Sequence, residues 1–311
     1  MKLAFIGTGT MGGGMARNLI QKGADLTVIA RRPKVRESFR ALGARVSGSN
    51  QTAADCDVVF LCLPEETAVE NVLFGEGGVL NGAPPASDRA FADPAAKQRI
   101  IADCSTISYG KAREFAARCE ALGADYLDTP VSGHKAKAEA GMLTVMAGGR
   151  EEVFETVRPY LEMMGSQILY MGSSGSGQLT KMINNCALNI CTASFCELMP
   201  VGVKLGLSPE KLGEVLMNAT GSSYASKTLI PEILEGNFAH GFTLERAYKD
   251  MKNMLDVCEQ LSLPLPTFLG TLQTYQLALE NGHGDLYKGA MIRYYEDLLG
   301  VKCRRSGFEE E

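Results

Sequence analysis

At 311 residues, 45% hydrophobic and 22% charged, the chain is long enough for two domains and has a globular composition, which excludes disordered, collagen-like and membrane classes. Thirty-one Lys and Arg against 36 Asp and Glu give a net charge of −5, so no broad cationic surface is offered to a nucleic-acid backbone. Nine cysteines, odd in number and without a C-x-x-C pair, read as reduced thiols, and the apolar run Leu3 to Ile6 is too short for a signal-peptide core; the expected location is cytoplasmic.

From the N-terminus to about residue 170, short apolar runs alternate with segments of helical period, the pattern of a mostly parallel sheet covered by helices. Strands are expected at Lys2 to Ile6, Leu26 to Ala30, Val58 to Leu63, Ile100 to Asp103, Leu143 to Ala147 and Gln167 to Tyr170. Their lack of alternation fits burial on both faces. The first strand runs into Gly7-Thr8-Gly9-Thr10-Met11-Gly12, a G-x-G-x-x-G followed by a helix with Met11, Met15 and Leu19 on one face. In that setting Gly7 permits the tight turn, Gly9 lets the backbone approach a pyrophosphate, and Gly12 lets helix and strand pack closely. The helix N-terminus, with Thr10 and Met11, supplies amide donors and positive dipole.

A site for NAD places an acidic residue at the end of the second strand to hold the ribose 2′-hydroxyl. That strand ends instead in Ala30-Arg31-Arg32-Pro33. Arg31 and Arg32 suit a 2′-phosphate through charge-assisted, bidentate contacts, so NADP (as NADPH) is expected over NAD, with two solvated surface arginines as the alternative. The Gly/Pro/Ala-rich stretch from Gly75 to Gln98 is expected to be a surface excursion without an element.

After the turn-like Gly172 to Gly177, a helix of about 25 residues should begin near Gln178, with helical segments following to about Leu299. The expected organisation is an N-terminal Rossmann-type, doubly wound α/β domain over residues 1–170, an all-helical domain for substrate and oligomerisation over 171–300, and a polar tail over 301–311 that frays. The apolar stretch Cys186 to Leu207 is broken by Asn189, Glu197, Pro200 and Lys204. It reads as a buried helix kinked at Pro200, not as a membrane span.

Gly177, Lys181, Asn184 and Asn185 recur at helical spacing and form one polar surface. A carbonyl that accepts hydride gathers negative charge on oxygen, which an ammonium can stabilise and protonate. Partial desolvation brings a lysine toward neutrality, so the free amine serves as base in the oxidative direction. A lone helical lysine is more commonly a solvated charge, so the assignment depends on the segments around it.

Four segments, in order, carry a resemblance: Phe5-Ile6-Gly7-Thr8-Gly9-Thr10-Met11-Gly12; Asp128-Thr129-Pro130-Val131-Ser132-Gly133; Gly177-Gln178-Leu179-Thr180-Lys181-Met182-Ile183-Asn184-Asn185; and Tyr248-Lys249-Asp250. Together they resemble the β-hydroxyacid dehydrogenases, which include 3-hydroxyisobutyrate dehydrogenase, tartronate semialdehyde reductase and glyoxylate and succinic semialdehyde reductases. The resemblance implies an NADPH-dependent oxidoreductase interconverting a small aldehyde or keto acid and its hydroxy acid, with Lys181 as general acid and base. It implies that Asn185 positions Lys181 and the substrate, that Ser132 and Gly133 bind a substrate carboxylate, and that Lys249 reaches toward the nicotinamide and substrate. Leu63, Pro64 and Thr106 are implied as cofactor contacts. Asn184 stays open as a packing or capping residue, and Asp250 as a helix-face neighbour.

Where the family commonly has glycines, this chain has His134 and Lys137, which either extend polar reach toward a more anionic substrate or point to solvent. His134, His240 and His283 lack partners at metal-ligand spacing, and no metal is expected. Two alternatives remain: an imine reductase, which typically replaces the lysine of the third segment, and a non-catalytic NADP-binding regulatory or scaffold protein. A homodimer or homotetramer is expected, because one long central helix often buries its apolar face against a second subunit.

Overall fold

The computed structural model describes residues 1–81 and 98–308, which gather into two compact units, Met1–Lys181 and Met182–Glu311. In the first unit, the described strands form one nine-stranded sheet: β1 (Leu3–Ile6), β2 (Leu26–Ile29), β3 (Arg45–Ser47), β4 (Val58–Leu61), β5 (Arg99–Asp103), β6 (Ala124–Asp128), β7 (Val131–Ser132), β8 (Leu143–Gly148) and β9 (Gly165–Gly172). The order is β3-β2-β1-β4-β5-β6-β8-β7, with β9 paired to β8. Pairing is parallel from β3 through β6 and between β8 and β9, and antiparallel where β8 meets β6 and β7.

The six expected strands are present. β3, β6 and β7 went unlisted because two of them are only two or three residues long, while β6 carries Asp125 and Asp128 in a run too polar to read as a buried strand.

Helices cover both faces: α1 (Gly12–Gln21), α2 (Pro33–Arg40), α3 (Glu66–Phe74), α4 (Tyr109–Ala121), α5 (Lys135–Glu139) and α6 (Glu151–Met164). Leu3 and Phe5 of β1 pack with Met15 and Leu19 of α1 and with Phe154 of α6. Ala4 and Ile6 face the other way, toward Leu73 of α3 and Phe115 of α4. Both alternating sets are buried, which is why the strand sequences show no alternation. Parallel order reverses at β1, which lies between β2 and β4. A reversal of this kind opens a crevice beyond the carboxyl ends of the strands.

The expectation of a surface excursion from Gly75 is corrected for its described part. Val79 and Leu80 donate backbone N–H groups to Val72 and Leu73 at 2.8 and 2.9 Å, which folds the chain back on α3 and leaves both side chains 2% exposed. The glycines that suggested a loop supply the turn for this return. The remainder of that stretch lies outside the described residues.

The long helix, α7 (Ser176–Lys204), begins in the first unit, continues through Pro200 and has 29 residues. The compact units divide inside it, at Lys181 and Met182, whereas the sequence pointed to residue 170. It is followed by α8 (Pro209–Asn218), α9 (Tyr224–Leu234), α10 (Leu244–Leu261), α11 (Pro266–Glu280) and α12 (Ile292–Leu299). Ser208, Ser223 and Thr243 cap three of these by accepting backbone N–H groups from Lys211, Ser226 and Arg246. By length and composition α7 is apolar enough to cross a membrane. Within the second unit, Met182, Cys186, Asn189, Ala193, Cys196 and Met199 form a buried stripe along it. Asn189 accepts a hydrogen bond from the buried Lys288 Nζ at 3.3 Å.

The expected fraying of the tail is also corrected for its described part, which ends at residue 308. Arg304 forms a two-pronged pair with Glu296, 2.6 Å to Oε1 and 3.0 Å to Oε2, and Cys303 N–H donates to Oε1 at 2.8 Å. Glu296 and Cys303 are fully buried and Arg304 is nearly so. A polar composition suggested fraying, but the polar groups are partners for one another.

Candidate active site

Ile29, Ile6, Leu61, Asp103 and Asp128 stand side by side on one rung of the sheet. Within a few residues of that rung the chain delivers Gly7, Arg31, Leu63, Thr106 and Ser132. At Gly7 φ is +99°, and an added Cβ would lie 2.2 Å from the Cys62 carbonyl oxygen; at Gly12 it would lie 2.0 Å from the Gly7 carbonyl oxygen. Both glycines are required by the fold itself. Gly9 differs, because a Cβ there meets nothing within 4 Å, so its smallness is left for something that approaches from outside. Thr10 is exposed and Met11 half-buried at the N-terminus of α1, where amides lack intrahelical partners. This cradle fits a dinucleotide pyrophosphate.

Arg31 and Arg32 are exposed at the end of β2 and make no ion pair among the described residues. A third guanidinium, not singled out from the sequence, braces the backbone just before them: Arg36 Nη1 donates to the carbonyl oxygens of Ala30 and Arg31, each at 2.8 Å. Leu63 follows β4, and its N–H donates to Ser105 Oγ at 2.9 Å, joining two loops of the sheet's carboxyl edge. Pro64 is exposed and Thr106 half-buried.

Ser132 is half-buried and Gly133 exposed with φ +145°. A Cβ on Gly133 would lie 2.7 Å from Leu143 and 3.3 Å from the Lys137 stem, so the turn accepts only glycine. Lys137 and His134 are both exposed, with the Lys137 stem against Gly133. The turn is tied to the dinucleotide helix by Asn18, whose Nδ2 donates to Ala138 and Glu139 carbonyl oxygens at 2.9 and 3.1 Å. Nothing local in the sequence marks Asn18 for this tie, because besides a bond to the Gly14 carbonyl one turn back its partners lie some 120 residues away.

Lys181 is half-buried on α7 and Asn185 follows one turn later. Asn185 Nδ2 donates to Asp250 Oδ2 at 2.9 Å, and its Oδ1 accepts from Asn184 at 3.3 Å. The buried Asp250 is thus an orienting partner for Asn185. Lys249, its neighbour on α10, is half-buried.

The start of α7 is held by Asp128, a residue the sequence did not mark as functional. Its carboxylate accepts from Gly175 N–H at 2.7 Å and Gln178 N–H at 2.8 Å. A Cβ on Gly148 or Gly177 would come within 2.7 to 2.8 Å of that carboxylate, which explains both glycines. Burial pushes the Asp128 carboxyl up to about 6, the two amides oppose this, and neighbouring Asp103 adds to it. Asp103 is also raised by burial, while accepting from Ser105 N–H and the Tyr126 hydroxyl.

Because the folded value for Asp128 lies above the ordinary 3.8, the native state holds this proton more tightly than the unfolded chain. The stability it contributes is present below the unfolded value and is lost as pH rises through about 6. Urea denaturation at a series of pH values should therefore show the native protein losing stability relative to Asp128→Asn across that window. Parallel curves for the two proteins would contradict the assignment.

Comparisons with known proteins place the chain in a family. Residues 2–172 match the family described as the NAD binding domain of 6-phosphogluconate dehydrogenase. Residues 175–295 match the one described as NAD-binding of NADP-dependent 3-hydroxyisobutyrate dehydrogenase. Sheet, glycine turn and helical unit thus define an oxidoreductase that uses a nicotinamide cofactor. The 2-(hydroxymethyl)glutarate dehydrogenase of Eubacterium barkeri is 34% identical over 303 residues, covering 97% of each chain. The 2-hydroxy-3-oxopropionate reductase of Escherichia coli K12 is 33% identical, covering 97% of this chain and 99% of its own. The solved 3-hydroxyisobutyrate dehydrogenase of Mycobacterium tuberculosis superimposes with a TM-score of 0.80 at 31% identity, covering 94% of this chain and 98% of that one. The chain belongs to the β-hydroxyacid dehydrogenase family, enzymes that act on CH–OH donors.

Proposed function

We propose that the protein is an NADPH-dependent reductase or dehydrogenase that interconverts a small aldehyde or keto acid and the corresponding hydroxy acid. The observation that carries this reading is the placement of Lys181 on a helix whose first turn is held by Asp128, on the same sheet rung that delivers the glycine turn and Thr106. When bound in that glycine cradle, a nicotinamide would supply the hydride for reduction and would take it up in oxidation. Lys181 Nζ stabilises the charge that grows on the carbonyl oxygen and delivers the proton there; its neutral form takes that proton back in oxidation. Ser132 Oγ and the backbone N–H at Gly133 hold the substrate carboxylate. Asn185, fixed by Asp250, orients the reacting oxygen, with Lys249 as a second cation for substrate and cofactor. The imine-reducing and non-catalytic alternatives are disfavoured by the presence of Lys181 together with Ser132 and Asn185.

Gly7, Gly9, Thr10, Met11 and Gly12 cradle the pyrophosphate, Leu63, Pro64 and Thr106 line the nicotinamide side, and Arg31 and Arg32 take the 2′-phosphate. The relatives' names specify small hydroxy acids, a hydroxymethylglutarate and a 2-hydroxy-3-oxopropionate, and a substrate of that size and charge suits the Ser132 turn. We also read a homo-oligomer, supported by Ile183, Leu198 and Val201 of α7, which are 51%, 65% and 44% exposed, and a cytoplasmic location, supported by the free thiols of all nine cysteines.

The test is NADPH and NADH turnover against glyoxylate, succinic semialdehyde, tartronate semialdehyde and methylmalonate semialdehyde, with Arg31→Ala/Arg32→Ala in parallel. Loss of hydrogen bonds to a charged partner should weaken NADPH binding by about 10- to 100-fold and leave NADH nearly unchanged. Equal weakening of both cofactors refutes the 2′-phosphate role, and absence of turnover on every acid refutes the reaction.

A further inference from the structure

Gln178 is 1% exposed in the first turn of α7. Its backbone N–H is taken by Asp128, and its carboxamide turns toward the loop after β5. There Nε2 donates to the Ser105 carbonyl oxygen at 2.7 Å, and Oε1 accepts from Ile107 N–H at 3.2 Å. These two groups flank Thr106 on either side. Ser105 is itself fixed, through its N–H to Asp103 and its Oγ to Leu63 N–H. On the other side, Ser108 N–H donates to Glu66 at 2.7 Å. Between those anchors, Gln178 is the side chain among the described residues that bonds the peptides on both sides of Thr106.

That side chain is three residues ahead of Lys181, which places Lys181 about 4.5 Å further along the same helix axis. A primary amide presents donor and acceptor at one planar end, and glutamine has the reach. Satisfying two backbone groups would be enough to keep a buried glutamine in a fold. Here, however, the bridged segments are the loop assigned to the nicotinamide and the helix assigned to proton transfer.

We propose that Gln178 is a positioning residue that locks the Thr106 loop to the Lys181 helix, so that one carboxamide sets the relative placement of the hydride and proton routes. The proposal rests on the roles given above to Thr106 and Lys181. Those roles fail separately if Thr106→Ala and Lys181→Met keep native turnover.

Gln178→Met preserves length and burial but removes both hydrogen bonds. A displacement of about 1 Å at a reacting centre costs on the order of 10²-fold, so kcat should fall by about 10- to 100-fold while NADPH affinity changes by less than about threefold.

Gln178→Glu adds a readout that a purely structural role would not move. Ionised, the new carboxylate accepts from Ile107 N–H but repels the Ser105 carbonyl oxygen. Protonated, it donates and accepts as glutamine does. The titratable or charged groups linked to its surroundings are Asp128, which accepts from its backbone N–H, Asp103 with Tyr126 and the buried Cys104 next to Ser105, Glu66 at Ser108, Tyr109 and Arg113 beside Gly175, and Lys181 one turn on. Burial and the two neighbouring carboxylates favour its neutral form.

The ratio of Gln178→Glu to native kcat should therefore be low near pH 8 and rise by about tenfold toward pH 5.5. A Gln178→Met protein with kcat within about threefold of native overturns the proposal. So does a ratio for Gln178→Glu that is flat with pH, or a loss of NADPH affinity equal to the loss of kcat.

Discussion

Replacing Lys181 with methionine is expected to lower kcat by about 10²- to 10⁴-fold, the scale of a lost general acid or base, while NADPH affinity stays within about threefold. Methionine keeps the length and most of the apolar stem but has no proton to give. The start of α7 is held by Asp128 and Gln178 through four hydrogen bonds of 2.7 to 3.2 Å, all of which the substitution leaves in place. The backbone should therefore stay in place while the chemistry is lost. Steady-state kinetics with a fluorescence titration of NADPH reads both quantities on one sample. If affinity falls as far as turnover, Lys181 is a cofactor residue; if neither changes, proton transfer lies elsewhere.

Arg304→Leu is expected to cost about 3 to 5 kcal/mol in unfolding free energy, because it strands a buried carboxylate. Glu296 is fully buried, with its two oxygens bonded to Arg304 and one also to the Cys303 N–H. The guanidinium also lies 5.2 Å from the centre of the Phe238 ring, so a leucine loses a stacking contact as well as the charge. Removing both charges together, as Glu296→Leu/Arg304→Leu, should recover much of the loss, since a buried pair replaced by apolar groups is often close to neutral. Urea denaturation of the three proteins decides it. A single variant within about 1 kcal/mol of native would show that the tail is not anchored by this pair.

Comparison of particular residues shows what local sequence can carry. The turn from Gly7 to Gly12 was legible because its requirements are met within a few residues and by the strand beside it. Lys181 and Asn185 were legible as a helical pair because the spacing of a helix is itself local. The exposed pair Arg31 and Arg32 was legible because it directly follows the apolar run of the second strand, a purely local pattern. Asp128, Gln178 and Asp250 were present in the same motifs, but nothing near them in the chain shows what they do. Their partners are 47 to 73 residues away for Asp128 and Gln178, and 65 for Asp250. The same holds for Asn18, whose bonds to Ala138 and Glu139 span about 120 residues.

By itself, then, the amino-acid order determined the alternation of buried strands and helices, the glycine turn, the paired arginines and the polar face around Lys181. Each of these follows from short-range sterics, hydrophobic period or residue chemistry. Tertiary structure alone decided which buried polar groups meet: Asp128 with the first turn of α7, Gln178 with the two sides of Thr106, Asp250 with Asn185, and Glu296 with Arg304. A buried donor or acceptor must find a partner, and which partner it finds depends on the path of the chain through space.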